Sequence, residues 1–118
     1  MFPRSLHCTL LALVLAAITF FEYSTAAADA SECSVRSRGS QVMIVVCPPG
    51  LEQEDWHTVG TETCGSLELC NVWIWDDAAK APEMAPDNDD GLTKSQVSSA
   101  VAVWVNDVSQ MLLLRKVK

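Results

Sequence analysis

His57 follows Glu54 and Asp55 by three and two positions. An imidazole beside carboxylates is the material of general acid–base chemistry, because its ordinary pKa lies close to neutrality. Cys47 or Cys64 could supply that histidine with a thiol nucleophile. The surroundings argue against both roles. A lone histidine on the polar side of a helix is ordinarily just solvated, and a thiolate would have to escape pairing with the other cysteines. The sequence therefore favours a protein that catalyses nothing. A minimal secreted hydrolase or accessory enzyme using His57 with Glu54, Asp55 or a free cysteine is the alternative.

Asp87-Asn88-Asp89-Asp90-Gly91 has the composition of a calcium loop without its register. With Gly91 at the sixth position, Pro86 falls first and Val97 twelfth, where the ion requires carboxylates. A solvated acidic loop is the simpler role, and loose calcium binding the lesser one. Cys33, Cys47, Cys64 and Cys70 contain no Cys-x-x-Cys pair. That spacing speaks against a zinc knuckle and a thioredoxin-like redox centre, so no metal and no cofactor is expected.

The tryptophans offer a different chemistry, that of a flat apolar surface. Trp73 and Trp75 project from one face of an expected strand, and Trp104 joins them if its own segment is a neighbouring strand. Exposed, the three rings would form a platform for a sugar ring or a partner protein. Covered by the long loop that follows, they would be core, which is the commoner fate of large apolar side chains. Trp56 lies on a helical stripe and reads as core in either case.

What must position these side chains is a chain of 118 residues, enough for one small domain. Residues 1–28 have the form of a signal peptide: Arg4, an apolar run from Leu6 to Phe21, and small residues from Ala26 to Ala28, with cleavage expected after Ala28. The apolar run is 16 residues, short of the roughly 20 a membrane-spanning helix needs, which disfavours an uncleaved anchor. Cys8 leaves with the leader, and residues 29–118 form the exported domain, periplasmic or secreted.

Export brings the remaining thiols into an oxidising compartment. Four cysteines allow three pairings. Short loops close at the least entropic cost, which favours Cys33 with Cys47 and Cys64 with Cys70. Removing the leader takes away Arg4 and Glu22, one charge of each sign, so the net charge stays at −7. Such an acidic domain repels nucleic-acid phosphates and anionic lipid, leaving no nucleic acid and no stable membrane insertion among its expected partners.

The elements follow from periodicity. Val42 to Val46 is a continuous apolar, largely β-branched run, the signature of a strand covered on both faces, and Pro48-Pro49-Gly50 stops it. Trp56, Val59, Gly60, Thr63, Cys64 and Leu67 recur at helical spacing, with Glu52, Glu54 and Asp55 in the first turn and Cys64-Gly65-Ser66 at the end. Asn71 to Asp76 is a second strand, with Val72 and Ile74 on one face and Trp73 and Trp75 on the other. Residues 77–91 form a loop interrupted by Pro82 and Pro86. Thr93 to Gln96 fits a capping box. A short helical turn and then a hairpin through Asn106–Ser109 is favoured over one longer helix, because β-branched residues at alternate positions suit a pleated surface. Met111 to Leu114 is a strand either way. Ser34 to Arg38 is polar and mixed, with a turn at Gly39-Ser40.

The order of these segments predicts a small disulfide-stapled α+β domain, one main helix packed on a three- to four-stranded sheet. Its expected function is that of a small exported acidic binding or inhibitor-like protein, with a protein or carbohydrate partner.

Overall fold

The computed structural model describes residues 28–115. The expected signal peptide lies, apart from Ala28, outside the described residues. Five strands, β1 (Ser34–Arg38), β2 (Val42–Val46), β3 (Asn71–Trp75), β4 (Ala102–Val105) and β5 (Gln110–Leu113), and two helices, α1 (Gln53–Cys64) and α2 (Lys94–Ser99), form a small α+β domain. The strands make one sheet in chain order, β1-β2-β3-β4-β5. β2 and β3 run parallel and every other pair antiparallel. Parallel neighbours require a crossover, and α1 provides it.

α1 begins where the acidic first turn was expected. The Asp55 carboxylate turns back to accept from the Glu52 amide at 3.0 Å. The helix ends at Gly65, whose φ of 56° lies in the left-handed region that a glycine adopts without steric cost. Its buried stripe is Trp56, Val59, Gly60, Thr63 and Cys64. These residues cover Met43, Val45, Val72, Ile74, Ala102 and Trp104 on one face of the sheet. Leu67, which continues the stripe in sequence, falls in the turn beyond the helix and is exposed.

The opposite face is sealed without a long helix. Val42, Ile44, Trp73, Trp75 and Val103 pack beneath Ala81, Leu92 and Ala100, with Ala85 and Val97 alongside. Polar contacts hold this cover down. Arg36 donates to the carbonyls of Ala78 (2.9 Å) and Ala81 (3.1 Å), and the Ala85 amide donates to Ser37 Oγ at 2.8 Å. The capping box opens α2 as its sequence predicts: Thr93 Oγ1 accepts from the Gln96 amide (3.1 Å) and Gln96 Oε1 from the Thr93 amide (2.9 Å). The two covered faces explain the unbroken apolar run in β2, since Met43 and Val45 face α1 while Val42 and Ile44 face the loop.

Both disulfides join the expected pairs, Cys33–Cys47 with Cα atoms 4.0 Å apart and Cys64–Cys70 with 5.8 Å. The sheet has five strands rather than three or four. The additional one is β1, whose residues carry no apolar alternation. It is defined by its ladder to β2 and tied at its start by the first disulfide. The hairpin of β4 and β5 forms as expected, turning through a 3-10 segment at Asn106–Val108 and through Ser109 at φ 50°.

Candidate functional site

The tryptophans do not form a platform. Trp73 is 8% exposed, Trp75 0% and Trp104 3%, and Trp56 is buried too. Nor do the three share a face. Directly opposed residues of antiparallel strands point the same way, and the register sets Val103 opposite Trp73 and Trp104 opposite Val72. Trp73 and Trp75 stack under the loop with centroids 6.3 Å apart, whereas Trp104 lies under α1. Their indole N–H groups are engaged within the fold. Trp73 donates to Asp89 Oδ1 (2.8 Å), Trp75 to the Gln96 carbonyl (3.0 Å) and Trp104 to Asn106 Oδ1 (2.9 Å). No ring face is left for a sugar to stack on, so the expected binding site at Trp73, Trp75 and Trp104 is corrected to core.

His57 is exposed and sits edge-on to Trp104, with ring centroids 4.7 Å apart. Of its acidic neighbours, Asp55 is engaged in capping α1. Cys47 and Cys64 are both in disulfides and carry no thiol for it to activate. In the acidic loop, Asp89 accepts from Trp73 and, through Oδ2, from Asn71 Nδ2 at 2.7 Å, while Asn88 caps the amide of Asp90. Among the described residues no group of three or more His, Cys, Asp or Glu side chains is arranged to hold a metal ion.

With both faces covered, the edges of the sheet remain. They differ. An edge strand exposes unpaired backbone donors and acceptors, and proteins usually blunt it with charge, bulges or covering segments. β1 is blunted by both a bulge and charge. Its ladder slips between Val35 and Ser37, it carries Arg36 and Arg38, and both arginines reach across to other segments, Arg38 donating to the Thr63 carbonyl at 3.1 Å.

Among the described residues, β5 has none of these devices. Its residues Gln110-Met111-Leu112-Leu113 bear no charge, and Leu112, Leu113 and Leu114 are 46%, 45% and 39% exposed. The Leu114 amide donates to the Val101 carbonyl at 2.9 Å. By the alternation of an antiparallel ladder, Leu112 and Gln110 also bond inward, and the backbone groups of Met111 and Leu113 point away from the sheet. Leu112 stands beside Val103 on the loop-covered face, while Met111 and Leu113 stand beside Trp104 and Ala102 on the helix-covered face. Among the described residues the edge thus presents an unpaired hydrogen-bonding row, flanked by leucine on both faces.

The sequence marks Met111–Leu114 as a strand, but its place at the end of the sheet depends on the order of pairing. The fold and this edge define the class to which the chain belongs, a small α+β domain with two disulfides and one unguarded strand. No protein family matches the chain, and neither the curated proteins nor the solved structures contain a match.

Proposed function

We propose that the chain is a small exported acidic binding protein that carries out no chemistry itself and takes up an extended strand of a protein partner at the edge of β5. The observation that supports this is the contrast between the two sheet edges, one bulged and charged, the other apolar and open. Strand addition draws affinity from backbone hydrogen bonds and specificity from the alternating side chains beside them. β5 offers both. Two disulfides suit an oxidising compartment, and no helix among the described residues is long and apolar enough to cross a membrane. Both facts accord with export to the periplasm or beyond.

The test is affinity capture from the exported fraction with the wild-type domain and with Leu113→Pro. Proline at 113 removes an outward-facing N–H and leaves the ladder to β4 intact. A partner retained by wild type and lost by the variant is the expected result. Identical partner profiles would remove the proposal.

A further inference from the structure

Building on strand addition at β5, we infer that the strand it takes up is β5 of a second copy of this chain, paired antiparallel about a twofold axis that passes through Leu112. Only residues whose backbone groups face outward can pair across the new seam, and in β5 these are Met111 and Leu113. Antiparallel pairing of β5 with itself engages both of them in one register, Met111 of each copy opposite Leu113 of the other. A shift of one residue would set an outward-facing residue against one already bonded to β4. A shift of two toward the start of the chain would set Leu113 against Ser109, which has left the strand at φ 50°, and a shift of two the other way would set Met111 against Arg115, beyond the end of β5.

The side chains of that register are self-complementary. Met111 and Leu113 meet on the helix-covered face, and the two copies of Leu112 meet on the axis at the loop-covered face. Leu112 and Leu113, exposed in one copy, are thereby covered by Leu112 and Met111 of the other. Charge fits as well. Two chains of net charge −7 repel, yet β5 contributes no carboxylate to the seam. Arg115, just past the end of β5, is held in an ion pair with Asp76 of its own copy and so brings no unpaired charge to the seam. β1 could not do the same, because its bulge breaks the regular row of donors and self-pairing would bring its two arginines toward those of the other copy. The strand is short, so the dimer is a weak one that forms as concentration rises.

Analytical ultracentrifugation of the oxidised domain from micromolar to millimolar concentration, with amide exchange measured at both ends of that range, tests the inference. The expected mass rises from one copy toward two, and exchange slows at the Met111 and Leu113 amides. Leu113→Pro and Leu112→Lys should stay monomeric while keeping the near-ultraviolet dichroism of the buried tryptophans, which shows that they are folded. Leu69→Lys, which alters an exposed leucine outside the edge, should associate as wild type does. A monomer at every concentration overturns the second copy as occupant, and so does a dimer that survives Leu113→Pro or leaves the two amides unprotected. If the monomeric domain instead gains protection at Met111 and Leu113 on addition of the exported fraction, strand addition stands and only the identity of the strand is wrong. Protection in neither experiment removes both.

Discussion

Gly60 of α1 lies directly over Trp104 of β4, so close that a Cβ built on the glycine would fall 2.5 Å from Trp104 Cγ. The contact sets how near the helix approaches the sheet. It also gives a physical reason for a residue that weakens helices in isolation.

Gly60→Ala should therefore destabilise the domain despite the better helix propensity of alanine. The propensity gain is at most about 1 kcal/mol. Forcing a methyl group into a packed contact costs about 1–3 kcal/mol. Urea unfolding followed by tryptophan fluorescence should show a lower midpoint with an unchanged slope. A midpoint equal to or above wild type would mean that α1 moves off Trp104 at no cost.

Asp89 fastens the long loop to the sheet by accepting from both Trp73 and Asn71. Asp89→Ala leaves a buried indole N–H without its acceptor, a loss of about 1–3 kcal/mol. The melting temperature should fall, and fluorescence quenching of Trp73 by acrylamide should rise as the loop loosens. A variant as stable and as shielded as wild type would show that apolar packing alone retains the loop.

Arg36 holds the other end of the same cover through the carbonyls of Ala78 and Ala81. Arg36→Ala should cost about 1 kcal/mol, less than a fully buried charged hydrogen bond because the side chain is only half-buried. Amide exchange should accelerate in residues 77–84 and stay unchanged in α1. Equal acceleration in α1 would point to a global rather than a local effect.

The two disulfides should contribute unequally. Cys33–Cys47 spans a sequence separation of 14 and Cys64–Cys70 one of 6. Loop-closure entropy then assigns the first about 3 kcal/mol and the second about 2 kcal/mol. Paired substitution to alanine, Cys33→Ala with Cys47→Ala or Cys64→Ala with Cys70→Ala, followed by denaturant unfolding, measures both. If losing the second pair proves the costlier, the void left by the fully buried Cys64 and Cys70 outweighs the chain entropy.

The candidate site was legible in the sequence only in pieces. Met111–Leu114 reads as a strand from its residue types, but nothing local marks it as an unpaired edge. The tryptophans were the more conspicuous signal and pointed elsewhere. Trp73 and Trp75 alternate correctly with Val72 and Ile74, so their common face was evident, whereas the side on which Trp104 falls depends on the register between β3 and β4.

The sequence by itself determined what depends on neighbours along the chain. The helical stripe from Trp56 to Cys64, the doubly covered run of β2, the capping box at Thr93 and the pairing of the cysteines across short loops are all local, set by periodicity, capping chemistry and loop entropy. Tertiary structure alone decided that polar Ser34–Arg38 is a strand, that Trp104 turns toward α1, and that β5 lies at the end of the sheet with its outer row unpaired among the described residues. Each of these is a relation between segments held together by backbone ladders. A ladder bonds amide to carbonyl whatever the side chains are, and so leaves little trace in their pattern.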